Sequence, residues 1–185
     1  MGAGKSTALA ALEGLGAAVL STDEVVHELY GGPQVRDAVV ERWGEQVAPG
    51  DVVDRAAVAA KAFEDSSERK WLEGLLWPLV GERIARWLGE ARAFSPPPRA
   101  AVVEVPLLFE AGMGEIFDAT IAVVAEEDLR RARAAGRGHA LADERVARQL
   151  SQDDKAGRAT FAVRNDGTKD ELVAKLSAIL DKLEG

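Results

Sequence analysis

Two glycines followed by lysine, serine and threonine open the chain. Met1-Gly2-Ala3-Gly4-Lys5-Ser6-Thr7 contains the last part of the pattern G-x-x-x-x-G-K-[ST] and runs directly into helix-compatible sequence. In a full loop of this kind, glycines let backbone N–H groups face phosphate oxygens, and the helix N-terminus adds its positive end. The lysine then reaches the β- and γ-phosphates of ATP, and the hydroxyl holds Mg²⁺. Those two roles fall to Lys5 and Ser6, with Gly2, Ala3, Gly4 and Thr7 completing the cradle. The competing reading is a flexible start that binds nothing. The alternation of Gly2 and Gly4, and the element order behind Thr7, favour the phosphate loop. The motif is incomplete: its first glycine would precede Met1, as would the strand that ordinarily leads into such a loop. The expectation is therefore a chain whose first strand is missing, read from an internal methionine or shortened.

The elements that must position this loop follow from apolar spacing. Ala8, Leu9 and Leu12 share a helical face before Gly14-Leu15-Gly16, and Ala17 to Leu20 is a strand-length apolar run. A second helical pattern covers Glu24 to Leu29. Residues 34 to 94 hold no comparable strand; Val35, Val39 and Trp43, then Leu72, Leu75, Leu76 and Leu79, recur at helical spacing. Pro78 is expected to break or kink that last helix, and Ser95-Pro96-Pro97-Pro98 to end it. Strands are predicted at Ala100 to Val105, at Ala119 to Ala125 and at Phe161 to Val163, with a final helix over Asp170 to Leu183. The alternation predicts an α/β fold with a parallel sheet flanked by helices. Length favours one domain over 1–185: a core of 1–33 and 99–185, and a helical insert of 34–98.

Composition narrows the partners. A net charge of −8 gives little attraction for nucleic acid. With no cysteine and two histidines, any metal is expected to be oxygen-bound. No apolar run approaches the roughly 20 residues needed to span a bilayer, so the reading is a soluble, cytoplasmic protein. Nothing in the sequence sets an oligomeric state.

Downstream of the loop, several segments carry a family likeness. They are Val19-Leu20-Ser21-Thr22-Asp23, Val53-Asp54-Arg55, Trp71-Leu72 through Pro78-Leu79-Val80, Val105-Pro106-Leu107-Leu108-Phe109-Glu110, Arg145-Val146 with Gln149 and Lys155, and Asn165-Asp166-Gly167. Together they resemble the dephospho-CoA kinase family over nearly the whole chain, the P-L-L-F-E segment being the most specific piece. The resemblance implies a P-loop kinase fold with an inserted helical substrate region and an arginine-rich lid at about 130–150. It implies transfer of the ATP γ-phosphoryl group to the ribose 3′-hydroxyl of dephospho-CoA, with Mg²⁺ as cofactor.

By this likeness Asp23 is the catalytic carboxylate that accepts or orients the hydroxyl proton and helps hold Mg²⁺ with Ser6. A helix cap supplied by Ser21, Thr22 or Asp23 is the alternative. Arg137 and Arg133 stand in the stretch resembling the lid, Arg137 as first choice for the phosphate contact; a solvated basic face is the alternative. Asn165 and Gly167 fall at cofactor-binding positions, and Pro106, Leu107, Leu108 and Glu110 at substrate-binding positions, where plain core is the alternative for the apolar three. Arg55 divides between substrate phosphates and surface pairing, and His27 between substrate and solvent. Trp43, Trp71, Trp77 and Trp87 read as core rather than as a stacking platform. Three positions depart from the family pattern: Ser21 for an aspartate, Trp77 for a histidine and Glu104 for an aspartate. The rivals are another small-molecule P-loop kinase, of shikimate, gluconate or nucleotide type, and an inactive fragment.

Overall fold

Helix α1, Lys5–Gly14, turns Ala8, Ala11 and Leu12 inward. The computed structural model describes residues 2–135 and 150–184. These residues divide into two units, Met1–Val19 with Ser95–Gly185, and Leu20–Phe94.

In the first unit the chain leaves α1 through Gly16, whose φ of 93° no β-branched residue would adopt cheaply. It enters strand β1, Ala18–Ser21. The Ala18 N–H donates to the Ala100 carbonyl at 2.9 Å, which sets β1 beside β2, Ala101–Glu104. Strand β3, Ile121–Val124, pairs in parallel with β4, Phe161–Arg164, from Ile121 opposite Phe161 to Val124 opposite Arg164. Helix α6, Glu127–Ala135, follows β3; α7, Gln152–Arg158, precedes β4; and α8, Lys169–Glu184, closes the chain. Thr168 and Glu171 start α8 reciprocally: the Thr168 N–H donates to Glu171 Oε2 and the Glu171 N–H to Thr168 Oγ1, both at 3.2 Å.

Among the described residues the expected sheet is thus resolved into two strand pairs, of which β3–β4 is parallel. Among the described residues β1 pairs with β2 and β3 with β4, and no strand bridges β2 to β3. Both halves rest on one apolar cluster, built from Ala8, Ala11 and Leu12 of α1, Val163 of β4, and Leu172, Leu176, Ile179 and Leu180 of α8. Val102 of β2 and Ile121 and Val123 of β3 pack against it. Burial on a shared core, rather than a continuous ladder, holds the halves together.

The second unit is helical. It contains α2, Thr22–Tyr30; α3, Pro33–Trp43; α4, Arg55–Glu64; and α5, Ser66–Arg92. Pro33 begins α3, where its missing N–H costs nothing. Asp54 caps α4, accepting from the N–H groups of Ala56 and Ala57, and Asp65 caps α5 by accepting from Ser67. Val35, Val39, Val47, Val58, Leu72 and Leu76 form its core.

Of the break or kink expected at Pro78, the break does not occur, since α5 runs through it as one helix of 27 residues. Proline removes a single backbone hydrogen bond, and buried Leu72 and Leu76 before it, with Ile84, Trp87 and Ala91 after it, keep both halves packed. The tryptophans separate by environment. Trp87 is buried, whereas Trp43 and Trp71 pack edge to face at 5.0 Å, and Trp77 is 51% exposed.

Candidate active site

The phosphate loop keeps the shape its glycines require. Gly2 and Gly4 sit at φ of 79° and 91°, and Gly4 immediately precedes α1 without any side-chain cap on the helix. A Cβ at Gly2 would stand 2.3 Å from the Arg130 carbonyl oxygen, and one at Gly4 would stand 2.1 Å from Asn165 Nδ2. Neither position has room for a side chain. Ala3 between them is buried, while Ser6 and Thr7 lie exposed in the first turn of α1. The loop therefore offers uncapped backbone amides, a lysine and two hydroxyls at a helix N-terminus, the equipment for phosphate oxygens.

Asn165 braces this loop from behind. Its Nδ2 donates to the Ala3 carbonyl at 2.9 Å, and its own N–H donates to Val124 at 2.8 Å, which ties the ends of β3 and β4 to the loop. Arg133 of α6 donates from Nη1 to the Asn165 carbonyl at 2.9 Å. So Arg133 and Asn165, both read as cofactor-binding, are brought together beside Ala3. Gly167 lies against the start of α8, where a Cβ would stand 1.7 Å from Glu171 Oε2, so it makes room for the reciprocal cap. Asp166, absent from the candidate residues, accepts from the Glu126 N–H at 2.7 Å and from Arg164 Nε at 2.9 Å. Those two bonds, the backbone one first, hold its carboxyl below the usual range. Arg137, and the matched positions Arg145, Val146 and Gln149, lie outside the described residues.

The segment after β2 forms a tight turn. The N–H groups of Ala111, Gly112 and Met113 donate back to the carbonyls of Leu107, Phe109 and Leu108 at 2.9, 3.2 and 2.9 Å. Pro106, Leu107 and Leu108 are half-buried, neither fully core nor fully free. Glu110 binds Lys155 of α7 at 2.9 Å, with side chains only 13% and 17% exposed. Its Oε1 also accepts the Leu150 N–H at 2.9 Å, whereas Oε2 is buried with no hydrogen-bond partner among the described residues. Burial acts most strongly and opposes ionisation, but Lys155 and the Glu110 and Leu150 amides prevail and lower the carboxyl's pKa. The family match had marked Lys155, but no feature of the sequence joined it to Glu110, 45 residues earlier.

In the helical unit Asp23 is exposed in the first turn of α2, with Ser21 at the cap position making no side-chain capping bond. His27 follows on the same face, one turn along. Arg55, the first residue of α4, donates from a terminal nitrogen to His27 Nδ1 at 2.8 Å. Because guanidinium has no acceptor, Nδ1 accepts and this contact belongs to the neutral ring. The two substrate candidates, His27 and Arg55, are thus brought together. The D-R element divides its labour: Asp54 caps α4 and Arg55 faces α2.

An α/β fold, a phosphate loop at a helix N-terminus and an inserted helical unit define a P-loop phosphotransferase. The sequence matches the dephospho-CoA kinase family model over residues 1–171, and the chain belongs to that family. It is 35% identical to a dephospho-CoA kinase of Anaeromyxobacter dehalogenans, covering 98% of this chain and 88% of that protein. It is likewise 35% identical to one from Deinococcus radiodurans, covering 100% and 89%. A crystal structure from Thermus thermophilus superimposes with a TM-score of 0.80 at 30% identity, covering 100% of this chain and 94% of that one. Dephospho-CoA kinase from Campylobacter jejuni, at 20% identity, shares the fold, with a TM-score of 0.70 over 98% of this chain and 92% of that one.

Proposed function

We propose that this chain transfers the γ-phosphoryl group of ATP to the ribose 3′-hydroxyl of dephospho-CoA, releasing coenzyme A and ADP. The observation that carries this reading is the phosphate loop, Gly2 to Thr7, in a chain whose family match spans residues 1–171. The 3′-oxygen attacks the γ-phosphorus, the bond from that phosphorus to the β,γ-bridging oxygen breaks, and ADP leaves with its electrons. Asp23 takes or orients the hydroxyl proton. Lys5 and the amides of Gly2, Ala3 and Gly4 offset charge on the β- and γ-phosphates, while Arg133 and Arg137 supply positive charge from the basic stretch. Asn165 supports the nucleotide end through the loop it braces, and Gly167 through the room it leaves at the start of α8. His27 and Arg55 meet the substrate's phosphates, and Pro106, Leu107, Leu108 and Glu110 form the segment on which its acceptor end rests.

Mg²⁺ suits the donors at hand, the Ser6 hydroxyl and the Asp23 carboxylate, both hard oxygen ligands. Among the described residues no group of three or more His, Asp or Glu could hold an ion alone. When bound, Mg²⁺ neutralises charge on the β- and γ-phosphates.

ATP and dephospho-CoA are the partners; a net charge of −8 supports neither DNA nor RNA as a third. No helix among the described residues is long and apolar enough to cross a membrane, and the reading places the reaction in the cytoplasm. The test is ADP release from ATP and Mg²⁺ on adding dephospho-CoA, compared with shikimate, gluconate and nucleoside monophosphates. Release with dephospho-CoA alone supports the assignment; release with one of the others replaces it.

A further inference from the structure

The turn after β2 is held in two different ways along its length. Its body is closed by the backbone bonds that Ala111, Gly112 and Met113 donate to Leu107, Phe109 and Leu108, with Gly114 packed against the Phe109 ring. Its entry, at Pro106, is reached by a side chain as well. There Lys155 Nζ lies 3.5 Å from the Pro106 carbonyl oxygen while binding Glu110 Oε1 at 2.9 Å. One ammonium thus spans residues 106 and 110, a side-chain tie added to the backbone bonds that Leu107, Leu108 and Phe109 accept. Lys155 is itself anchored, because its helix α7 starts from a Ser151 cap and Gln152 Oε1 accepts the Ala125 N–H at the end of β3. Lys155 therefore ties the entry of the turn, at Pro106, to the end of β3 through α7.

We propose that Glu110 and Lys155 are positioning residues that set the Pro106–Phe109 segment for dephospho-CoA, acting through the backbone rather than by touching substrate. This rests on the reading that the segment binds dephospho-CoA. The geometry supports it in three ways. The carboxylate's Oε1 is already engaged by Lys155 and Leu150, and its Oε2 is buried. Both side chains are withdrawn from solvent, where a charge pair is screened little. And the segment they clamp lies beyond the C-terminal end of a strand in an open α/β sheet, where ligands collect.

The experiment is steady-state kinetics on the full chain and on Glu110→Gln, Lys155→Met and the double variant that carries both. Each substrate is varied at saturation of the other, and thermal melting confirms that each variant is folded. Each single variant is expected to raise KM for dephospho-CoA by about tenfold, the size of a lost charge-assisted contact. KM for ATP should stay within about twofold, and the double variant should lose no more than about the larger single loss, as pairwise coupling requires. A rise in both KM values together, or a double-variant loss equal to the product of the two single losses, overturns the proposal. So does an unchanged KM for dephospho-CoA. Should a single variant fail to fold, Lys155→Arg keeps the charge and lengthens the reach; native KM values for it support the clamp, and native values for a folded Lys155→Met refute it. Failure of the unaltered chain to phosphorylate dephospho-CoA would instead refute the underlying assignment.

Discussion

Asp23 occupies a position that helix formation alone does not demand. The α2 terminus has no side-chain cap from Ser21, and Asp23 lies exposed in the first turn. A carboxylate there gains from the helix dipole, yet a dipole needs no particular acid. Replacing Asp23 with Asn should lower kcat by about 10²- to 10⁴-fold, the usual contribution of a positioned base. Calorimetry should find ATP affinity little changed; turnover near the unaltered rate would remove Asp23 from the mechanism. Asn165 makes the opposite kind of contribution. Its amide satisfies the Ala3 carbonyl inside the loop, so Asn165→Ala leaves that acceptor unpaired at a cost of about 1–3 kcal/mol. The loss should appear as weaker ATP binding, measurable by titration, with KM for dephospho-CoA nearly unmoved. The loop residues Gly2 to Thr7 were legible in the sequence because their spacing is local. Asn165 was legible as a matched position, but its partner Ala3 was not, because 162 residues separate them and only the fold brings them together.

At the scale of elements, one acid of the helical unit gathers three hydrogen bonds. Glu68 of α5 receives Arg42 Nε at 3.0 Å and Nη2 at 2.7 Å, and the Trp43 indole N–H at 2.7 Å, linking α3 to α5. Arg42 also lies 5.5 Å from the Trp71 ring centroid, above the edge-to-face contact with Trp43. These bonds, Arg42 first, hold the Glu68 carboxyl below its ordinary value of 4.5. A lowered carboxylate contributes stability that is present above that ordinary value and lost as pH falls through the lowered one. Melting of the unaltered chain should therefore lose stability below about pH 4.5 with a component that Glu68→Gln abolishes. A parallel fall in both proteins would contradict the link. In the first unit, Leu176 of α8 is fully buried against α1, and Leu176→Ala should cost about 2–5 kcal/mol in chemical denaturation. Most of these helices were readable from apolar spacing: Val35 and Val39, Leu72 and Leu76, and Leu172 and Leu176 all face inward as expected. The break expected at Pro78 does not occur because propensity describes an isolated helix, whereas α5 is held by tertiary packing on both sides of the proline.

For the whole molecule, two units divide the chemistry by residue type. The first holds the phosphate loop and the strand ends; the second, Leu20–Phe94, holds Asp23, His27 and Arg55. The α/β class was legible because strands of four residues alternate with helical runs, and β3 with β4 bears out the parallel pairing. The split into two strand pairs was not, because apolar runs mark strands without saying which neighbours they take. The central claim is that the γ-phosphoryl group goes to one hydroxyl of one acceptor. It is tested most directly by incubating the protein with ATP, Mg²⁺ and dephospho-CoA and assigning the product by mass and by ³¹P NMR. The account predicts one added phosphoryl group, on the ribose 3′-oxygen, formed in step with ADP. ADP formed with dephospho-CoA unchanged, or a phosphoryl group found elsewhere on it, would contradict the account.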